Sequence, residues 1–354
     1  MKLSLCMIVK DEEKTLQRCL DSVKDAVDEI IIVDTGSIDK TKKIALKYTN
    51  KLYDFKWVDD FSKARNYSFS KATGDYILWL DADDVLSKAN LKKLINLKDS
   101  LDISIDIVMA NYAVSFEKNR PTFSYYRERI IKNNGNYLWV SPIHEVIITY
   151  GNIIYSDFCV YHKKINSLNT KRNLNIFYKM IDENIKLNSR QKYYFARELY
   201  YNKDYEKAIL LFSEVLEIKD AWIENKISAC ESLYECYSNL DNEKDAFESL
   251  LLSFKYDKPR AKICCLIGNY FFNKNLYNIA IFWYTTATNC VSDEKNGVFF
   301  EKDYYDFIPY LNLCVCYYKL NNIKQAKKNN EMAGKVKPKD KKYLYNKTLF
   351  DEIV

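Results

Sequence analysis

The sequence predicts two domains of different class: an α/β domain with a mostly parallel sheet over residues 1–165, then an all-α domain of helical repeats over 166–354. Three observations carry this prediction. Short β-branched runs alternate with stretches of helical period in the first half, strands vanish after about residue 170, and the second half is self-similar.

The runs LSLCMIVK (3–10), EIIIVD (29–34) and DYILWLD (75–81) read as strands. Between them, DEEKTLQRCLDSVKD, SIDKTKKIALKY and DDFSKARNYSFSKATG carry apolar residues at helical spacing, with Ser37 and Asp39 as helix-start signals. Continuously apolar strands separated by helices are strands covered on both faces, which is the signature of a parallel sheet. Ligands of such sheets gather beyond the carboxyl ends of the strands, where Lys10, Asp34 and Asp81 fall. After residue 100, IDIVMANYAV, YYRERIIK and NIIYSDFCVYH read as further strands with fewer helices between them. In the second half, YEKAILLF, EKDAFESL, YNIAIFWY and IKQAKKNN align on Ala208, Ala246, Ala280 and Ala326, spaced by 38, 34 and 46 residues. Leu199, Tyr237, Phe271 and Tyr317 each stand nine residues before the alanine. That period is close to a 34-residue helix–turn–helix unit of the tetratricopeptide type, with insertions, and an irregular helical bundle is the plainer alternative.

A chain of 354 residues that is 48% hydrophobic and 15% aromatic has ample material for two cores. The formal charge of +6 is spread along the chain without a basic block, which argues against a nucleic-acid partner. None of the 10 cysteines forms a CxxC pair, so reduced, mostly buried thiols are expected in place of a zinc site or a disulfide framework. The N-terminal apolar stretch is too short for a signal peptide, and no run of about 18 apolar residues occurs. A cytoplasmic location, or a peripheral place on a membrane, is the expectation.

The chemistry concentrates at WLDADD, residues 79–84, where a buried strand ends in Asp81, Asp83 and Asp84. Carboxylates so close repel one another unless a cation or strong donors meet them. Two of them one residue apart suit Mg²⁺ or Mn²⁺ when phosphate oxygens complete the shell. Aspartates here can equally cap the following helix, SKANLKKLINL.

The stretch CMIVKDEEKTLQRCLDSVKDAVDEIIIVDTGSIDKTKKIA, followed by DDFSKARNYSFSKATGDYILWLDADD, resembles glycosyltransferase family 2, whose members have the GT-A fold. The resemblance covers roughly residues 1–165 and extends to bacterial transferases with a helical C-terminal region, among them peptide S-glycosyltransferases of the glycocin type and surface-polysaccharide transferases. It implies that Asp34 accepts a hydrogen bond from the base, that Val9 and Glu12 help wall the nucleoside, and that Arg65 and Asn66 brace base or phosphate. Asp81, with Ala82, would touch the ribose or sugar and Asp83 would hold the metal. In RIIKNNGNYLWVSPIHEVI, Arg129 and Trp139 match donor-site positions, while His144 and Glu145 match the His-Glu pair beyond them. His162, in VYHKK, is a candidate third ligand or diphosphate contact, and a packed core histidine is the plainer reading.

The resemblance thus implies a metal-dependent inverting transferase using Mn²⁺ or Mg²⁺ and a nucleotide sugar, UDP-glucose or UDP-N-acetylglucosamine. Inversion needs one base on the acceptor side, and Glu145 is assigned that role, with His144 orienting it or contacting the donor sugar and Asp84 as the alternative base; no ED-type motif is present. The repeat domain would receive a peptide, protein or glycan acceptor, or pair two copies of the chain. A polysaccharide or lipid-linked glycan transferase, and a scaffold carrying a relic catalytic domain, are the competing expectations. A nucleotidyltransferase would want a glycine-rich phosphate loop near the first strand, and KDEEKT has no glycine.

Overall fold

The structure, a computed structural model, describes residues 1–117, 120–165, 170–291 and 300–353. The chain forms two compact units, Met1–Lys186 and Leu187–Val354. The boundary expected between 165 and 166 adjoins residues 166–169, which lie outside the described residues.

In the first unit, β1 (Leu3–Val9), α1 (Leu16–Val23), β2 (Glu29–Asp34), α2 (Thr41–Ala45), β3 (Leu52–Asp54), α3 (Phe61–Phe69) and β4 (Tyr76–Trp79) alternate as expected. Next come β5 (Asp84–Val85), α4 (Lys88–Ser100), the long strands β6 (Ile107–Glu117) and β7 (Arg120–Lys132), and the two-stranded β8 (Trp139–Val140) and β9 (Val146–Ile147). The strand β10 (Ile153–His162) and helix α5 (Thr170–Asp182) complete the unit. The main sheet runs β3-β2-β1-β4-β7-β6-β10-β5. β3, β2, β1 and β4 are mutually parallel, as are β6 and β10, while β7 runs antiparallel to both its neighbours and β5 antiparallel to β10. One face packs Leu3, Leu5, Met7, Leu78 and Val108 against Leu16, Leu20 and Leu94 of the helices. The other packs Cys6, Ile31, Ile77, Ile107 and Ile131 against Phe69, Trp79 and Trp139.

The lower end of this sheet is tied by Glu29, whose side chain is 4% exposed. It accepts from the Ser4 hydroxyl and the Lys51 ammonium, and from Thr73 N at 2.8 Å and Thr73 Oγ1 at 2.9 Å. Burial works against its charge, but these donors hold its pKa at about 2.

The second unit shows why the alanines align. Its hairpins are α6 (Ser189–Tyr201) with α7 (Tyr205–Glu217), α8 (Ile223–Asn239) with α9 (Glu243–Leu252), and α10 (Ala261–Asn273) with α11 (Tyr277–Asn289). After β11 (Phe300–Glu301) and α12 (Asp303–Asp306) come α13 (Ile308–Lys319) with α14 (Ile323–Val336), and then α15 (Lys341–Ile353). In each of these four hairpins the amide four residues before the alanine bonds the carbonyl nine before it: Asp204 to Leu199, Asn242 to Tyr237, Leu276 to Phe271 and Asn322 to Tyr317, at 2.8–3.0 Å. The residue between helices takes the left-handed conformation each time, at Lys203, Asp241, Asn275 and Asn321. Asp204, Asn242 and Asn322 cap the second helix with their side chains, each a contribution of about 1 kcal/mol. The alanines are at most 3% exposed because a partner helix lies against them. Gly268 plays the same part for α10, where an added Cβ would sit 2.6 Å from the Tyr284 ring. The longest spacing, 46 residues, holds β11 and α12. All ten cysteines are free, and eight are buried.

Glu29 has a folded pKa below its unfolded value, so its stabilisation is complete above pH about 4.5 and lost as pH falls through about 2. Urea denaturation should find Glu29→Gln less stable by about 3 kcal/mol at pH 7, with the gap to wild type roughly halved at pH 3. A gap that does not change with pH would contradict this account.

Candidate active site

Two loops at the carboxyl end of the sheet are bolted together. Asp11 N donates to Ser37 Oγ at 2.9 Å, Glu12 N to Thr41 Oγ1 at 2.7 Å, Glu13 N to Asp39 Oδ2 at 3.0 Å, and Ile38 N to Asp11 Oδ1 at 2.8 Å. VKDEE and DTGSIDKT are therefore one structural unit built over the tips of β1 and β2. At its base, the Val9 carbonyl accepts from Thr35 N at 2.9 Å. Asp34 pairs in register with Val9 and has a side chain without solvent exposure. Its Oδ1 accepts from Gly36 N and Ser37 N, each at 2.9 Å, whereas Oδ2 is buried with no partner. Asp34 thus holds an unused acceptor next to the strand tips.

The carboxylate cluster begins just past β4, which is two strands from β2 in the sheet order, and buried cations meet it. Arg65 of α3 donates through Nη2 to Asp81 Oδ1 at 2.8 Å and through Nε to Glu145 Oε1 at 2.7 Å. Arg129 of β7, with no exposed surface, donates through Nη1 to Asp84 Oδ2 at 3.2 Å and to the Trp79 carbonyl at 3.2 Å. The Trp79 ring lies under three guanidinium groups, with Arg65 at 5.0 Å, Arg127 at 4.9 Å and Arg129 at 3.8 Å. Arg129 Nε and Nη2 have no hydrogen-bond acceptor, and the faces of Trp79 and Tyr112 receive the cation in their place. Burial opposes the charge of Asp81, yet Arg65 and then Arg129 hold its pKa at about 2.

His162 reaches the cluster through backbone pairing, because the end of β10 pairs antiparallel with β5 and sets His162 opposite Asp84. Its Nδ1 lies 3.2 Å from Asp83 Oδ1, 3.2 Å from Asp84 Oδ1 and 2.7 Å from the Tyr112 hydroxyl. Burial would discharge the ring, but hydrogen bonds to the two carboxylates push its pKa up to about 10. Donor atoms of Asp83, Asp84 and His162 all fall within 4.8 Å of one another. Groups this close can share one Mg²⁺ or Mn²⁺, with the Nδ1 side of His162 hydrogen-bonded to the carboxylates and Nε2 as the ring atom that would meet the ion. Asp83 and His162 are part-exposed, at 17% and 22%, and Asp84 is the enclosed inner member. Glu12 belongs to the same field: burial raises its pKa, and Asp83 and Asp81 raise it further.

Several positions that the linear motifs assign to the donor prove to be supports. Arg129 and Trp139, expected to contact the donor, are both buried, at 0% and 2%, and pack among the protein's own groups, where they hold Asp84 and wall Arg65. Asn66 clamps β8, donating to the Trp139 carbonyl and accepting from its amide, each at 2.9 Å, which takes up both ends of its amide group. Val9 and Ala82 have buried side chains, so only backbone remains for a donor. Asp84 cannot serve as the alternative base, because its side chain has no exposure and both its oxygens are engaged. His144 takes a left-handed backbone with φ 51° and stacks on Phe177 of α5 at 6.2 Å, leaving Glu145 as the part-exposed carboxylate of this turn. Tyr112 and Lys42, whose ammonium lies 3.8 Å from Asp34, were not singled out by the sequence, where nothing separates them from an ordinary core tyrosine and a surface lysine.

Arg129→Met should cost about 3–5 kcal/mol in urea denaturation because it strands Asp84 as a buried, uncompensated charge. Adding Asp84→Asn should restore more than half of the loss, and a double variant no more stable than the single one would contradict the pairing.

Residues 4–158 match the model for "Glycosyl transferase family 2". The chain is 40% identical over 146 residues to a TPR repeat-containing protein of Synechococcus elongatus, covering 41% of this chain and 35% of that one. It is 32% identical over 222 residues to the SPbeta prophage-derived glycosyltransferase SunS of Bacillus subtilis, covering 57% and 50%. It therefore spans half or less of the length of these relatives. Among solved structures, glucosyl-3-phosphoglycerate synthase from Mycobacterium tuberculosis with Mn²⁺ and UDP-glucose overlaps at 21% identity and TM-score 0.28, over 31% of this chain and 43% of that one. MamA overlaps at 18% identity and TM-score 0.35, over 44% and 82%. Residues 4–158, all within the first unit, are thus similar to glycosyltransferase family 2, and the second unit is built of helical hairpins.

Proposed function

We propose that this chain is a metal-dependent, inverting glycosyltransferase that moves a hexose from a uridine diphosphate sugar to a polypeptide or glycan acceptor. The observation that carries the reading is the Asp83–Asp84–His162 cluster in a sheet whose β2 tip bears Asp34. The unpartnered Asp34 Oδ2 suits the imide N–H of uracil. Asp83 and His162 would hold Mn²⁺ or Mg²⁺, which neutralises charge on the departing diphosphate. Asp81, fixed by Arg65, is placed to accept from ribose or sugar hydroxyls through its free edge, since its side chain is one-third exposed. Glu145 shares Arg65 with Asp81, so one guanidinium fixes the acceptor-side carboxylate relative to the donor side. In the reaction the bond from the anomeric carbon to the diphosphate oxygen breaks and a bond to the acceptor atom forms. The acceptor's proton passes to the Glu145 carboxylate. The helical repeats would position the acceptor. Among the described residues no helix is long and apolar enough to cross a membrane.

UDP with Mn²⁺ should raise the melting temperature more than UDP in EDTA, and Asp83→Ala should abolish that metal-dependent part. The same variant should lower turnover of UDP-glucose or UDP-N-acetylglucosamine at least about 100-fold. Identical metal responses in the two proteins would contradict the reading. Asp34→Asn should weaken UDP binding about 10- to 100-fold, as isothermal titration would record, because the amide offers a weaker acceptor to the base. Unchanged affinity would remove Asp34 from the nucleotide.

A further inference from the structure

The Tyr112 hydroxyl is a neutral group that touches two members of the carboxylate–imidazole cluster, Asp84 and His162. It donates to Asp84 Oδ1 at 3.0 Å and lies 2.7 Å from His162 Nδ1. Strand register puts it there: Tyr112 on β6 pairs with Val160 on β10, two residues before His162, so its side chain rises on the same face beside the imidazole. The ring is held from three sides, edge-on to Tyr125 at 5.6 Å, beneath the Arg129 guanidinium at 4.2 Å, and tilted against His162 at 5.5 Å. With 6% exposure the residue cannot meet a substrate. A phenol carries its proton at neutral pH, and here it donates that proton in a hydrogen bond to Asp84.

Asp84 is therefore gripped at every lone-pair direction that its surroundings reach. Arg129 Nη1 and the Asp81 amide hold Oδ2, and Tyr112 together with His162 Nδ1 holds Oδ1. We propose that Tyr112 is a positioning residue of the cation site: its hydroxyl donates to Asp84 and accepts from the Nδ1–H of His162, so that the other ring nitrogen, Nε2, and Asp83 are presented to a single divalent ion. The proposal rests on the metal-dependent reading above and adds a residue to it. Outer hydrogen bonds of this kind orient a metal-binding imidazole, and their loss weakens metal binding about 10- to 100-fold.

Tyr112→Phe removes the hydroxyl and keeps the ring, so its packing against Tyr125 and Arg129 survives. Mn²⁺ binding should be measured in the presence of saturating UDP, by electron paramagnetic resonance of the free ion and by isothermal titration. The variant should bind Mn²⁺ about 10- to 100-fold more weakly than wild type, while its affinity for UDP in EDTA stays within twofold. A purely packing role would change the melting temperature and leave the Mn²⁺ affinity where it was. Equal Mn²⁺ affinity in the two proteins would overturn the inference and spare the proposed function. A wild-type protein that takes up no Mn²⁺ with UDP would overturn both.

Discussion

The structure turns on how three carboxylates at the end of one buried strand keep their charge. Asp81, Asp83 and Asp84 lie just past β4, within five residues of Trp79, and each meets a different cationic group: Arg65, His162 and Arg129. The Trp79 ring collects the guanidinium groups of Arg65 and Arg129 onto its surface, so the residue that ends the strand also organises the counter-charges of Asp81 and Asp84. Buried ion pairs of this kind do little for stability compared with an apolar core, and removing one partner is costly. Their consequence here is fixed geometry: Asp84 is immobile, His162 is fixed against it, and Asp83 is left at the rim.

That arrangement links the sheet to the chemistry. Arg65 comes from α3, whose N-terminus is capped by Asp60 and tied through Phe61 N to the Pro142 carbonyl of the β8–β9 turn at 2.8 Å. The turn that carries His144 and Glu145 is therefore anchored to the same helix that grips Asp81. Asp34 sits outside this charge network, paired with the glycine turn and with Lys42 at 3.8 Å. The first unit thus has an unpaired acceptor at the tip of β2 and a candidate cation-binding cluster past β4. This division suits a ligand with a base at one end and phosphates at the other.

Much of this was legible in the sequence, for physical reasons that differ from residue to residue. Apolar strands closed by aspartates located Asp34 and the WLDADD stretch, because charge at the tip of a buried run has few uses. The repeat register was legible because the helical hairpin demands a small residue at Ala208, Ala246, Ala280 and Ala326, and the same carbonyl–amide bond nine to four residues before each. What sequence reasoning missed were contacts set by strand register across the sheet. Arg129 and Trp139 look like donor-site residues in a linear motif, yet β7 and β8 turn them inward, under the cluster and against Arg65. Tyr112 stands in IDIVMANYAV like any core aromatic, and only the pairing of β6 with β10 reveals its hydroxyl beside His162.

The central claim is that the carboxylate cluster is built to receive one divalent ion beside a nucleotide diphosphate. Anomalous scattering at the manganese edge, from crystals grown with Mn²⁺ and UDP, tests it most directly. The account predicts one strong peak bounded by Asp83 and His162 with Asp84 behind it and phosphate oxygens in front. Bound UDP with no peak there, or with manganese held by other residues, would contradict it.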